Sequence, residues 1–296
     1  MADATTQTWP IGRLLTWTRE FLAGKGVDEP RLSAELLLAH ALGCRKIELY
    51  TRFEQVPSSS QLEAFRELVR QAAAHAPIAY LVGHKEFYSL DLFVTPAVLI
   101  PRPETELLVD RVVAVSRARS GAAMHVLDIG TGSGCVAIAV ACLCPNASVL
   151  ASDVSAAALE VAARNVERHR VADRVALCEA VGADLPAERV PDGRFDVIVS
   201  NPPYIADTQR STLPANVRDH EPSLALFGGP DGLGVIRAIA RDGLRLLAEH
   251  GRAFVEVADG QAEAAAGEFV AAGWAWLDTH RDAAGILRVV ELGRPA

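Results

Sequence analysis

The sequence predicts an α/β fold: a seven-stranded, mostly parallel sheet preceded by a small helical domain. Three observations predict it. Beyond residue 122, short β-branched runs alternate with helical stretches, the order that builds a parallel sheet with helices on its faces. The last two runs are joined by only Asp282-Ala283-Ala284-Gly285, too short for a parallel crossover, so that pair must be antiparallel. Before residue 76 the apolar residues recur at helical spacing and no strand pattern intervenes.

In order, the first segment places Leu14, Leu15, Trp17 and Phe21, then Leu32, Leu36, Leu37, Leu38 and Leu42, then Leu62, Phe65, Leu68 and Val69 on successive helices. Pro30 and the run Pro57-Ser58-Ser59-Ser60 are start signals, and Gly43 sits where a helix ends. Between Tyr80 and Ile100 the residues turn aromatic and β-branched, with Phe87, Leu90, Leu92, Val94 and Val98 separated by polar or turn residues, which predicts a hairpin. The strands that follow are MHVLDI (124–129), ASVLAS (147–152), RVALCE (174–179), FDVIVS (195–200), AFVEV (253–257), AWLDT (275–279) and ILRVVEL (286–292). Helical periodicity fills Ser155 to His169 and Leu233 to His250. The expected domains are a helical one over 1–78, a hairpin linker over 79–101 and the sheet domain over 102–296.

Composition narrows the function. Half of the 296 residues are hydrophobic, enough for a sizeable core, which excludes disorder. No run of 18 apolar residues occurs, so no membrane span is expected; the most apolar stretch, Cys135 to Cys144, reads as a buried helix. A net charge of −8 is the wrong sign for binding by phosphate neutralisation, so nucleic acid is not the expected partner. Five cysteines, with no paired CxxC clusters and no histidine at zinc spacing, read as reduced core thiols, and no metal is expected. Met1 to Pro10 lacks a basic flank followed by an apolar run, so the expected compartment is the cytoplasm. The eight histidines are scattered and form no nucleophile-and-base arrangement.

The first sheet strand ends in Asp128-Ile129-Gly130-Thr131-Gly132-Ser133-Gly134, immediately before the apolar helix. Glycines permit positive φ and close approach of a ligand to the main chain, and the N–H groups of a helix start favour anionic groups such as a carboxylate. A dinucleotide fingerprint needs a third glycine at position 135, which is Cys135, so NAD is disfavoured. Asp153 ends the second strand about twenty residues on, where an acid hydrogen-bonds the ribose hydroxyls of an adenosine group. The loop resembles the S-adenosylmethionine site of class I methyltransferases, whose Rossmann-like fold also matches the strand tally. The resemblance implies that Gly130, Thr131, Gly132, Ser133 and Gly134 cradle that cofactor.

FDVIVS runs into Asn201-Pro202-Pro203-Tyr204. With this strand beside the first, the tetrapeptide opens at the topological switch point next to the glycine loop. Two prolines fix φ and remove two donors, leaving carbonyls that only accept, while Asn201 offers both an amide oxygen and an NH2 group. Such a clamp suits a planar NH2: two acceptors take its hydrogens and aim the nitrogen at a methyl donor, and Tyr204 can stack over the flat group. Hydrogen bonding to the NH2 stabilises the positive charge that develops as the methyl arrives, so neither strong base nor metal is required.

The tetrapeptide is similar to the (Asn/Asp)-Pro-Pro-Tyr signature of methyltransferases acting on planar nitrogens. Val98-Leu99-Ile100-Pro101-Arg102-Pro103-Glu104-Thr105-Glu106, the preceding Pro77 to Gly83 and Glu86-Phe87, and the later Glu221 to Leu226 with Gly228-Gly229 and Asp231-Gly232, resemble the family of peptide chain release factor N5-glutamine methyltransferases. That resemblance covers nearly the whole chain. It implies S-adenosylmethionine-dependent methylation of the glutamine in the Gly-Gly-Gln loop of bacterial class 1 release factors, with the helical domain helping to dock the factor to a monomeric enzyme. On this reading Asn201 and the Pro202 carbonyl grip the amide, Pro203 stiffens the clamp, Tyr204 flanks it, and Asn201 also borders the cofactor.

Other readings stay open. A ribosomal-protein glutamine is the substrate of a sibling family, adenine N6 fits the same clamp after base flipping, and the fold can serve as a translation-associated binding module without turnover. Glu104 and Glu106 read equally as the acidic first turn of a helix through Val112 or as substrate contacts. After the third strand an acid and a large side chain often meet the adenine; here Glu179 is followed by Ala180 and Val181, so Val181 is the expected apolar wall and Glu179 a hydrogen-bonding candidate, or both simply finish the strand. The loop Val255 to Gln261 is expected at the rim.

Overall fold

Residues 9–191 and 194–295 are described by a computed structural model. The N-terminal leader reading therefore lies largely outside the described residues. Two units are distinguished by their internal contacts: one holds the chain up to Gly83 together with Ala215–His220, the other holds His84–Pro214 and the chain from Glu221 onward.

In the first unit, local chemistry sets the helix ends. Helix α1 (Ile11–Gly24) buries Ile11, Leu14, Thr18 and Leu22 at spacings of three and four. Helix α2 (Pro30–Leu42) opens on Pro30 and closes at Gly43 with φ 63°. Helix α3 (Lys46–Thr51) is short, and α4 (Ser59–Ala73) starts on a reciprocal cap in which the Ser58 hydroxyl accepts from the Gln61 N–H and the Gln61 side chain accepts from the Ser58 N–H. Helix α5 (Ile78–Val82) ends at Gly83 with φ 80°. Leu22, Leu37, Leu38, Leu49 and Phe65 form the core.

The second unit opens with a hairpin of β1 (His84–Phe87) and β2 (Leu90–Phe93). It is tighter than the sequence suggests, because Ile78–Val82 is helical and residues 94–102 pair with no strand. Its two-residue turn puts Tyr88 and Ser89 at positive φ, a conformation that favours glycine. The strain is met from outside, since the Tyr88 N–H donates to Glu106 Oε1 at 2.7 Å and its hydroxyl to Asp110 Oδ1 at 2.8 Å.

The sheet follows. Helix α6 (Glu106–Ala118) leads into β3 (Met124–Ile129), α7 (Cys135–Leu143), β4 (Ala147–Asp153), α8 (Ala156–Arg168), β5 (Val175–Glu179) and β6 (Phe195–Ser200). The short helices α9 (Ala215–Arg218) and α10 (Ser223–Leu226) precede α11 (Gly234–Gly243), β7 (Leu247–Glu256), α12 (Ala262–Ala271), β8 (Ala275–Arg281) and β9 (Leu287–Gly293). The strand order is β5-β4-β3-β6-β7-β9-β8, and every neighbouring pair is parallel except β7–β9 and β9–β8, so β9 alone runs against the rest. The expected seven strands are all present. The helix through His250 is not: α11 stops at Gly243 because Leu246 and Leu247 are buried, and β7 begins at Leu247 and shifts register before Arg252.

The cysteine reading needs one correction. All five thiols are free, but only Cys144 and Cys178 are buried; Cys44 and Cys135 are half-buried and Cys142 is exposed. Helix α7 buries every residue from Val136 to Ala141 and then turns outward at Cys142 and Leu143. No helix of the described residues is long and apolar enough to cross a membrane.

Candidate active site

The site forms where β4 and β6 leave β3 on opposite sides, the crevice in which open α/β sheets bind ligands. Serine hydroxyls align the strand ends: Ser200 Oγ donates to the Ile129 carbonyl at 2.8 Å and Ser152 Oγ to the Asp128 carbonyl at 3.3 Å. The sequence reading missed both, since a serine closing a strand carries no signal in isolation.

The glycine loop has the backbone that its residues permit. Gly130, Gly132 and Gly134 have φ of 74°, 56° and 81°. A Cβ added at Gly130 or Gly132 would project into open space, whereas at Gly134 it would press on Ile138 Cδ1 at 3.1 Å and Ala162 Cβ at 3.4 Å. The first two glycines therefore keep the cradle open and the third lets α7 pack on α8. Asp153 shapes the loop: its Oδ2 accepts from the Gly132 N–H and its Oδ1 from the Ser155 N–H, both at 2.9 Å. Each oxygen retains a lone pair for a ribose hydroxyl. Asn165, fully buried on α8, joins loop to hairpin, donating to the carbonyls of Ser133 and Phe93 and accepting from the Phe93 N–H. A polar residue on the buried face of a periodic helix was the available signal for it.

Asp128 lies at the floor, 2% exposed, and accepts from Thr131 Oγ1 at 2.7 Å. Burial pushes its carboxyl up to about 7, against hydrogen bonds from Thr131 and the Ala137 N–H. Glu256, at the end of β7 and 1% exposed, is also pushed up to about 7 by burial. These carboxyls bind protons more tightly folded than unfolded, with ordinary values of 3.8 and 4.5. Unfolding therefore releases protons between those values and about 7. Their contribution to stability is fullest at the acidic end of that window, falls as pH rises to about 7, and is flat above. Thermal melts between pH 5 and pH 8 should show this fall, and Asp128→Asn should lessen its slope, leaving the Glu256 part; an unchanged slope would mean that Asp128 ionises normally.

The tetrapeptide lies across the crevice. Asn201, Pro202 and Pro203 line it with Gly130 to Ser133, Asp153, Thr105 and Arg102, around a cavity of about 320 Å³, ample for a small-molecule ligand. Asn201 Nδ2 donates to Thr105 Oγ1 at 3.0 Å, and the Asn201 Oδ1 and Pro202 carbonyl take no donor among the described residues. Two acceptors thus remain beside the glycine loop. Tyr204 departs from expectation. It does not line the cavity; its hydroxyl donates to Glu256 Oε1 at 3.4 Å, and burial, with that carboxyl second, pushes its phenol above the ordinary value.

The glycines after the tetrapeptide have a steric purpose. Ile205 bridges to Phe227, with its N–H on the Leu226 carbonyl and its own carbonyl accepting from Gly228. A Cβ at Gly228 would stand 2.5 Å from the Pro203 carbonyl, and one at Gly232 2.2 Å from the Tyr204 carbonyl. Gln261 Nε2 donates to the Tyr204 and Gly232 carbonyls at 3.2 and 3.4 Å. The loop Val255 to Gln261, expected at the rim, braces the clamp from behind.

Arg102 and Glu221 link the two other motifs: Nη2 meets Oε1 at 2.5 Å, and Glu221 Oε2 accepts from the Ile100 N–H at 3.2 Å. Glu221 is 5% exposed, so its loss strands a guanidinium and a buried N–H. Glu221→Gln is expected to cost about 2–3 kcal/mol, read as a drop of roughly 5–10 °C in melting temperature; a melt within about 1 °C of the parent would contradict the pairing. Glu106 Oε1 accepts from the Tyr88 N–H, so this acid supports the hairpin turn.

Val181, 71% exposed, lines the cavity, and so do two residues that sequence reasoning missed, Val154 and Leu224. Both are apolar residues left exposed beside a motif, Val154 directly after Asp153. Glu179 is exposed and outside the lining.

With this geometry in hand, similarity to known proteins is informative. Residues 13–83 match the family model described as PrmC N-terminal domain, and residues 103–217 match that of the methyltransferase small domain. The release factor glutamine methyltransferase of Rhodopirellula baltica is 46% identical over 260 residues, 87% of each chain. The enzyme of the same name from Geobacter sulfurreducens is 43% identical over 284 residues, 96% of each chain. In fold, a methyltransferase from Pyrococcus furiosus aligns with a TM-score of 0.51 at 20% identity, covering 77% of this chain and 96% of that one.

Proposed function

The chain belongs to the family of release factor glutamine methyltransferases, and from that premise we propose that it transfers a methyl group from S-adenosylmethionine to the side-chain amide nitrogen of the glutamine in the Gly-Gly-Gln loop of bacterial class 1 release factors. The observation that carries the reading is the pair of unspent acceptors, Asn201 Oδ1 and the Pro202 carbonyl, beside the positive-φ loop.

The residues fit the cofactor, because the cradle stays open where a Cβ at Gly130 or Gly132 would fill it. Gly130 to Gly134 and Asp153 would hold it, with Val154 and Val181 as apolar walls. When bound, S-adenosylmethionine supplies an electrophilic methyl on a cationic sulfur. The chain's own part is positional. Asn201 Oδ1 and the Pro202 carbonyl accept the two amide hydrogens, which fixes the plane of the NH2 and stabilises positive charge as it develops on nitrogen. The proton that the nitrogen loses once the methyl is bonded passes to solvent. On this reading the compartment is the cytoplasm, where release factors act.

Incubating the protein with S-adenosylmethionine and a release factor should add one methyl to that glutamine, located by peptide mass spectrometry. Bound cofactor with an unmodified glutamine, or methyl appearing on adenine instead, would overturn the reading. Asp153→Asn should weaken cofactor binding roughly 10- to 100-fold, the worth of a charge-assisted hydrogen bond. Calorimetric titration reads this, and an unchanged affinity would remove Asp153 from the ribose.

A further inference from the structure

The orientation of the Asn201 amide decides whether the clamp offers an acceptor or a donor, and the structure holds a device that sets it. One face of the amide is committed to Thr105, itself 2% exposed, through Nδ2 to Oγ1 at 3.0 Å. A hydroxyl that accepts there directs its own proton elsewhere, and hydrogen bonding from Thr105 is the largest influence holding the Glu256 carboxyl down against its burial. That carboxyl is 1% exposed, takes the Tyr204 hydroxyl on Oε1 at 3.4 Å, and leaves Oε2 buried with no hydrogen-bond partner among the described residues. In its ionised form the Glu256 carboxyl only accepts, and a buried carboxylate is costly unless neighbouring donors turn toward it, so it attracts the hydroxyl protons of both Tyr204 and Thr105.

We propose that Glu256 and Thr105 are positioning residues that fix the polarity of the clamp: Glu256 draws the Thr105 proton, Thr105 is left as an acceptor for the Asn201 NH2, and the Asn201 oxygen is thereby turned to the substrate amide. The inference rests on the glutamine-methylating reading of the site. It also explains what Tyr204 does in the tetrapeptide, since its phenol anchors the carboxyl rather than the substrate. Neither Glu256 nor Tyr204 lines the cavity, so neither acts on the reacting atoms directly.

Polarity predicts a pattern that packing does not. In Thr105→Val the shape is kept and the acceptor lost, so the Asn201 amide is free to turn. In Thr105→Ser the acceptor is kept. In Glu256→Gln the introduced NH2 can donate to Thr105, which then donates to Asn201 and turns its NH2 toward the substrate. With the full-length protein, S-adenosylmethionine and a release factor, Thr105→Val and Glu256→Gln should each lower kcat at least tenfold, with cofactor affinity within about twofold of the parent. Thr105→Ser should recover kcat to within about threefold. If either Thr105→Val or Glu256→Gln, folded by its melting curve, keeps parental kcat, or if Thr105→Ser is as impaired as Thr105→Val, the proposal is wrong. Should Thr105→Val not fold, Glu256→Gln decides alone. Failure of the parent protein to methylate the glutamine would instead overturn the reading beneath it.

Discussion

Asn201→Ala is expected to lower kcat for glutamine methylation by roughly 10²- to 10³-fold, the usual loss when one preorganised partner of a developing charge is removed. Cofactor affinity should stay within a few-fold. The asparagine leaves β6 at the one place where the glycine loop, Thr105 and the cavity meet. Without its oxygen the incoming NH2 keeps a single acceptor, the Pro202 carbonyl, and can rotate about it. The loss should therefore fall on turnover rather than on docking of the release factor, whose binding would persist. Single-turnover kinetics with cofactor titration separates the two. Turnover within about threefold of the parent would mean that the amide is held by other groups.

Gly232→Ala should be the most damaging single-methyl change outside the cavity. The residue has φ 78° and its new Cβ would fall 2.2 Å from the Tyr204 carbonyl, with the Ala206 nitrogen and Gln261 Nε2 both at 3.1 Å. Left-handed geometry alone costs a non-glycine residue about 1–2 kcal/mol, and the Tyr204 contact is with main chain that cannot step aside. A total of roughly 3 kcal/mol or more is expected, seen as a lowered melting temperature. Since a shift of about 1 Å in a positioning element can cost 10²-fold in rate, turnover should fall in the surviving folded fraction as well. Normal stability together with normal turnover would show that the loop does not brace the clamp. Gly229, where an added Cβ meets nothing within 4 Å but φ is 92°, is the control: Gly229→Ala should show strain alone, with turnover kept.

Much of this was legible in the chain. Alternation of β-branched and helical runs revealed the sheet, because parallel strands buried on both faces are written as near-continuous apolar stretches; β3 and β6 are such runs. The glycine loop was legible because glycine is the one residue whose presence encodes a backbone angle. The N-terminal helices announced themselves through Pro30, Ser58 and Gly43, whose roles are local.

What the sequence hid lies in side chains that act across long separations. Thr105 and Asn201 are 96 residues apart, and Arg102 and Glu221 are 119 apart. Each of these residues is ordinary in its own neighbourhood and acquires a role only when the sheet brings strand ends together. The partner of the Tyr204 hydroxyl was hidden for the same reason. An aromatic after two prolines suggests stacking, yet the buried Glu256, which arrives on β7, claims its hydroxyl. The boundary of α11 was missed because Leu244 to Leu247 continues the helical periodicity while tertiary burial ends the helix at Gly243.

The most direct test is a crystal structure of the protein with the demethylated cofactor and a peptide bearing the Gly-Gly-Gln sequence. The glutamine nitrogen should lie within hydrogen-bond distance of both Asn201 Oδ1 and the Pro202 carbonyl, and face the sulfur. A glutamine amide bound elsewhere, or Asn201 presenting its NH2 to the substrate, would contradict the account.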